Sequence, residues 1–97
     1  MRIRIIESGG FAGLRRECVV ETDGLPETQR AALERLVAAA AFFALPERLV
    51  SGFPDMIQYR VTVEERDRAH EVTFDDENAT EALRSLVDRI LEAAGEP

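Results

Sequence analysis

The chain has 97 residues, of which 45% are hydrophobic and 32% charged, and its formal net charge is −7 at pH 7. This length fits a single domain over residues 1–97, and the apolar fraction is too high for a disordered chain. The negative charge disfavours nucleic acids and acidic membrane surfaces as partners, because binding them begins with neutralising phosphates. Cys18 is the one cysteine, so an intramolecular disulfide is excluded.

The first two predicted elements are β-strands joined by a glycine-rich loop. Apolar and polar residues alternate in residues 2–7 and again in 14–22, which predicts an antiparallel pair with one face toward the core. In the second strand Leu14, Cys18 and Val20 share the apolar face, and Arg16 interrupts that face near the sheet edge. The loop at 8–13 is short enough for a hairpin, and its glycines suit backbone conformations with positive φ.

The remaining elements are a helix, two strands and a second helix. Pro26 opens the first helix, since its missing N–H costs nothing there, and Pro46 is expected to end it. Alternation predicts strands over residues 57–63 and 70–74. Asn78 and Glu81 are expected to form the capping pair of the last helix. The apolar residues of each helix recur at helical spacing and form one stripe.

The predicted order ββαββα favours an α+β fold with two layers. Each strand has one apolar face and each helix one apolar stripe. The arrangement that buries all of these surfaces is a four-stranded, mainly antiparallel sheet with both helices packed on one face.

Residue types that carry catalysis or bind metals are few and isolated. His70 is the one histidine and lies on the core-facing register of a strand, which indicates a structural role. Cys18 lies mid-strand among apolar neighbours, which predicts a buried, inert thiol. The acidic run at 75–77 lacks the ligand spacing of a calcium loop and is interpreted as helix-start acids. We therefore predict no enzymatic activity, no metal and no cofactor.

Phe11 is the residue without a ready explanation. Gly9, Gly10 and Gly13 around it lack the spacing of a phosphate-binding motif, and no helix follows them. Phe11 either folds back over the sheet edge as a plug for the small core, or protrudes as an anchor for a partner's pocket. Composition alone favours the plug and leaves the anchor open.

Several segments, in this order, resemble the emfourin family. They are SGGFAGLRR near the N-terminus, FFALPE after an alanine-rich helix, QYRVTV, and a final amphipathic helix. The resemblance covers essentially the whole chain, and SGGFAG is its most specific part. Emfourins are small bacterial inhibitors of protealysin and related thermolysin-like zinc metallopeptidases. The resemblance implies a protease inhibitor whose partner is a protealysin-like or thermolysin-like metallopeptidase, with the zinc belonging to that peptidase.

The resemblance also turns the glycine-rich loop into a candidate inhibitory loop. Thermolysin-like enzymes favour a bulky hydrophobic residue just after the scissile bond, and Phe11 suits that pocket. Flanking glycines would let the backbone enter a narrow cleft without Cβ clashes. The expected partner-binding residues are Ser8, Gly9, Gly10, Phe11, Ala12 and Gly13. Arg15 and Arg16 lie either at the rim of this contact or on a solvated strand face.

The alternative function is a non-catalytic interaction module or a self-associating regulatory domain, because an open sheet face invites dimerisation. Charged and polar residues on the expected open face argue against an apolar dimer interface. They are Arg2, Arg4, Arg15, Glu17, Arg60 and Thr62. We expect a protein that is monomeric on its own. We also expect it to be cytoplasmic, since no signal peptide is evident and the apolar run at 36–45 is too short to span a bilayer.

Overall fold

The computed structural model describes residues 1–10, 13–52 and 55–95. The described residues form strands β1 (Arg2–Gly9), β2 (Leu14–Glu21), β3 (Arg48–Leu49), β4 (Gln58–Glu65) and β5 (Arg68–Asp75), and helices α1 (Glu27–Ala39) and α2 (Glu81–Ala93). Neither helix in this described part has the length and apolar composition that a membrane crossing requires.

The described strands form one mixed sheet in the order β2-β1-β4-β5-β3. All neighbours are antiparallel except β3, which pairs in parallel with β5 through Arg48 opposite Thr73. The α+β class is confirmed, but the expected four-stranded, mainly antiparallel sheet lacks β3. This strand has two residues, too few to show alternation, and it is extended by a hydrogen bond of 2.8 Å from the Thr73 N–H to the Glu47 carbonyl.

The core lies between the two helices and one face of the sheet. Inward residues of four strands are buried together, as the alternation predicted: Ile3, Ile5, Cys18, Val20, Val61, Val63, Val72 and Phe74. The helices contribute Leu33, Val37, Leu83, Leu86, Val87 and Ile90. Fully burying one such aliphatic side chain is worth roughly 1.5–3 kcal/mol, so this cluster supplies most of the stabilisation that fixes the sheet and its loops.

His70 has the structural role that its position predicted. Its Nε2 atom lies 2.7 Å from the Leu45 carbonyl oxygen, and since a carbonyl only accepts, Nε2 carries the proton. The imidazole also meets the buried Phe42 ring edge-on, with 5.7 Å between ring centroids. These contacts fasten the segment after α1 to strand β5.

The expected end of α1 and the expected N-cap of α2 need correction. Helix α1 ends at Ala39 and not near Pro46, because Ala41 takes a left-handed conformation (φ +50°) that turns the chain and brings Phe42 into the core. At α2 the N-cap is Thr80, whose Oγ1 accepts the Leu83 N–H at 3.2 Å. Asn78 instead binds Asp75, so the proposed capping pair of Asn78 and Glu81 is wrong.

The other face of the sheet is exposed and charged, as expected. Arg4 Nε donates to Glu17 Oε2 at 2.6 Å, and Thr62 Oγ1 donates to Glu71 Oε1 at 2.8 Å. Each exposed pair of this kind contributes about 0–1 kcal/mol, so the face is polar without being a main source of stability.

Candidate functional site

The β1–β2 hairpin carries the 8–13 loop at one end of the sheet. Its ladder continues to Gly9 opposite Leu14, and the Gly13 N–H donates to the Gly10 carbonyl at 3.2 Å. β1 is also paired with β4 as far as Ser8 opposite Gln58. The stem of the loop is therefore held by strands on both sides of β1. Phe11 and Ala12 lie outside the described residues.

Glycine is required at position 9. Its φ is +105°, and a Cβ added there would lie 2.5 Å from the Met56 carbonyl oxygen. Any side chain would have to displace the backbone that leads into β4. Gly10 and Gly13 also have positive φ, +78° and +62°, but no described atom comes nearer than 3.9 Å to a Cβ at either position. Gly9 is thus tightly packed, a Cβ at Gly10 would make only an ordinary contact with Ile57, and the Cβ position of Gly13 is open.

Arg15 and Arg16 lie on opposite faces of β2. Arg15 is on the exposed face, with its guanidinium 3.6 Å from Glu17 and a side chain that is 62% exposed. Arg16 is on the helix side, where Nη2 lies 2.8 Å from Glu7 Oε1 on the neighbouring strand. Within the described part of the chain, the buried Nε of Arg16 has no hydrogen-bond partner. Arg15 is therefore available to a partner, whereas Arg16 is tied to the stem of the hairpin.

Leu14 is on the apolar face of β2 but is 65% exposed, so its expected burial is wrong. Its cross-strand neighbour is Gly9, which has no side chain to cover it. An exposed leucine directly after the glycine-rich loop adds apolar surface to this end of the molecule. The sequence alone missed it, because alternation places Leu14 on the core side without showing that its neighbour leaves it open.

Tyr59 lies beneath the stem of the loop and was also missed. It pairs with Glu7 across β1 and β4, and its ring packs on Phe74 with 5.4 Å between centroids. Burial, and then the charges of Asp76 and Glu7, raise the pKa of Tyr59 to about 12. The phenol therefore stays protonated at physiological pH and supports the hairpin as a neutral group.

The described residues contain no group of three or more His, Cys, Asp or Glu side chains that could hold a metal ion. Asp75, expected among helix-start acids, is instead a buried residue at the end of β5, several residues before α2 begins. A cavity of about 450 Å³ lies at the other end of the sheet, lined by Met1, Phe42, Phe43 and Arg68 among others. This cavity lies away from the candidate site, which is the loop at the end of the β1–β2 hairpin.

Comparison with known families identifies one match. The model of the Emfourin family matches residues 5–91 of the 97-residue chain, from the first strand to the last helix. No curated protein and no solved structure matches the chain in the corresponding comparisons. The family match spans the hairpin with its loop and both helices, and so covers the candidate site and the fold that supports it. The protein belongs to the Emfourin family.

Proposed function

We propose that this protein inhibits a thermolysin-like zinc metallopeptidase of the protealysin type by placing its 8–13 loop in the active-site cleft. Membership of the Emfourin family supports a role as a metallopeptidase inhibitor. The choice of the protealysin type and the choice of loop are our proposals. The protein itself acts without catalysis, metal or cofactor.

The observation that carries the proposal is the way the loop is mounted. β1 is flanked by β2 and β4, and the Gly10–Gly13 hydrogen bond ties the ends of the loop together. A loop whose stem is fixed before binding loses less conformational entropy on association, which favours tight inhibition. Gly10 and Gly13, which carry no Cβ on either side of Phe11 and Ala12, would let the backbone pass between the walls of a narrow cleft.

Phe11 is the proposed anchor, filling the pocket for the residue just after the scissile bond. An aromatic side chain inserted into a water-excluding pocket is typical of an interface hot spot. The neighbouring Leu14, exposed at the base of the loop, supports an apolar contact around the anchor. Ser8, Gly9, Gly10, Ala12 and Gly13 complete the loop as backbone contacts.

The two arginines have different proposed roles. Arg15 is exposed and would meet acidic or polar groups at the rim of the cleft. Arg16 would act mainly through its ion pair with Glu7, which links the two stems of the hairpin below the loop. Removing Arg15 should therefore slow association and make it less salt-sensitive, since rim charges act on encounter. Removing Arg16 should loosen the hairpin.

The test compares inhibition of purified thermolysin-like peptidases by the wild type, Phe11→Ala and Phe43→Ala. Phe43 is a matched control, because it is a partly buried aromatic residue at the other end of the sheet. Loss of a hot spot worth about 2 kcal/mol raises the inhibition constant about 30-fold. We expect this for Phe11→Ala alone, with both variants folded by circular dichroism. Equal inhibition by Phe11→Ala and the wild type would reject the loop assignment.

A self-associating module is the second candidate, and one feature favours it. β2 is an edge strand of eight residues, so one side of its backbone has no strand partner within the described sheet. Such an edge can pair with a second copy. Light scattering together with the inhibition assay distinguishes the two functions. A stable dimer that leaves every thermolysin-like peptidase active would favour the self-associating module, and a monomer that inhibits would favour the inhibitor.

A further inference from the structure

A second segment of the chain packs against the base of the 8–13 loop. We define this second segment by its described residues, Ser51, Gly52, Asp55, Met56 and Ile57; residues 53 and 54 lie outside the described part. A Cβ built on Gly9 falls 2.5 Å from the Met56 carbonyl oxygen, and one on Gly10 falls 3.9 Å from Ile57 Cγ1. At this end of the sheet the backbone of Gly9 therefore lies against the backbone of Met56, and the Ile57 side chain lies beside Gly10.

The far end of the second segment is anchored on Asp75. The Ser51 N–H donates to Asp75 Oδ2 at 2.6 Å. Asn78 donates to Oδ1 from its backbone N–H at 2.9 Å and from its side-chain amide at 2.8 Å. Asp75 is 1% exposed, and these donors, with the Ser51 N–H foremost, hold its pKa below the usual range. The carboxylate thus remains charged and keeps all of these bonds at neutral pH.

The side chain of Ser51 is fixed together with its backbone. Its Oγ donates to Glu77 Oε2 at 2.9 Å and accepts from the Asn78 amide at 2.8 Å. Asp75 is also the cross-strand neighbour of Gln58, which in turn neighbours Ser8. One row of the sheet therefore connects the anchor of the second segment to the first residue of the glycine-rich loop.

The residues that this anchoring fixes lie mostly at the surface. Ser51, Gly52 and Asp55 are exposed, so ordering them buries little apolar surface. A buried carboxylate is costly unless hydrogen bonds compensate it; here one compensating bond holds Ser51 in place, and the two from Asn78 fix the turn whose residues also bind the Ser51 hydroxyl. The physical effect is preorganisation of a surface, which reduces the entropy lost when that surface binds.

We propose that Ser51, Gly52, Asp55 and Met56 form a second contact with the same metallopeptidase, beside its active-site cleft, and that Asp75 is the positioning residue for this contact. The proposal rests on the proposed function of the 8–13 loop. The second segment presents the carboxylate of Asp55, and Glu77 lies next to Ser51. The complementary surface of the peptidase is therefore basic or polar, adjoining the apolar pocket that takes the loop.

Charge reversal tests the contact directly. Asp55→Arg is compared with Asp67→Arg, which makes the same change at an exposed position in the β4–β5 turn at the other end of the sheet. We expect Asp55→Arg to raise the inhibition constant at least about tenfold and Asp67→Arg to change it less than about twofold. Backbone amides of residues 51, 52 and 56 should also exchange more slowly in the complex than in the free protein.

Asp75→Asn tests the positioning role, with Ile90→Val in the remote helix α2 as a control for general loss of stability. At a temperature where both variants are folded, we expect only Asp75→Asn to weaken inhibition. If the wild type inhibits and Phe11→Ala does not, but Asp55→Arg and Asp75→Asn inhibit normally, the second contact is overturned and the inhibitory loop stands. If the wild type inhibits no thermolysin-like peptidase, both proposals fall.

Discussion

Replacing Gly9 by alanine tests the packing between the inhibitory loop and the chain that leads into β4. The new Cβ would lie 2.5 Å from the Met56 carbonyl oxygen, and φ at this position is +105°. Left-handed backbone costs an L-residue about 1–2 kcal/mol. Displacing tightly packed neighbours costs roughly a further 1–3 kcal/mol. We therefore expect Gly9→Ala to lower the free energy of unfolding by about 2–5 kcal/mol.

Gly13→Ala is the matched control. Gly13 also has a positive φ, +62°, but no described atom lies within 4 Å of a Cβ built there. Only the backbone penalty applies, so the expected loss is about 1–2 kcal/mol. The extra loss in Gly9→Ala then reports the contact with Met56 together with the less favourable φ of +105°, which lies outside the left-handed α region that Gly13 occupies.

Urea unfolding followed by far-ultraviolet circular dichroism measures the free energy of unfolding of both variants, and thermal unfolding measures their Tm. At about 4–8 °C per kcal/mol for a domain of this size, the Tm of Gly9→Ala should fall by at least about 8 °C. Gly9→Ala should also weaken inhibition, since relief of the contact moves the base of the loop. If the two variants lose equal stability, the close approach of Gly9 and Met56 is wrong.

Further predictions concern titration, surface and helix capping. Tyr59 is the single tyrosine and the chain has no tryptophan, so the near-ultraviolet absorbance reports the Tyr59 phenol alone. Its titration midpoint should lie near pH 12 in the wild type and at a lower pH in Asp76→Asn. A wild-type midpoint near pH 10 would contradict the burial of Tyr59. Because the folded pKa lies above the unfolded value, this phenol stabilises the fold fully below pH 10, and the contribution is lost as pH rises from 10 toward 12. Leu14→Ser should leave the free energy of unfolding within about 0.5 kcal/mol of the wild type and raise the inhibition constant about tenfold; equal inhibition would exclude Leu14 from the contact. Thr80→Ala should lower the free energy of unfolding in urea by about 1 kcal/mol, and an unchanged midpoint would reject Thr80 as N-cap.

Periodicity predicted the elements that bury a continuous face. Ile3 and Ile5 in β1 alternate with arginines, and the apolar stripe of α2 repeats at helical spacing, so the physical cause of each element is local and visible in the sequence. The end of α1 was not visible. Helical spacing continues past Ala41, and the left-handed turn there follows from burial of Phe42, which depends on contacts with residues distant in sequence.

At the candidate site, too, features that depend on contacts between residues distant in sequence were not visible in the sequence. Glycines around Phe11 drew attention to the 8–13 loop, and the family resemblance made it the candidate inhibitory loop, which stays a prediction. The exposure of Leu14 depends on the absence of a side chain at Gly9 across the hairpin, and the role of Asp75 depends on Ser51, 24 residues away. Pairings of this kind arise from strand register and loop packing, which a single sequence does not specify.

The central claim, that the loop occupies the active-site cleft, is tested most directly by competition. A thermolysin-like peptidase that the wild type inhibits is first saturated with a small zinc-binding inhibitor of its active site, and binding of the protein is then measured by calorimetry. We predict mutual exclusion, with the apparent Kd of the protein rising in proportion to the concentration of the small inhibitor. Formation of a ternary complex with unchanged affinity would contradict the account.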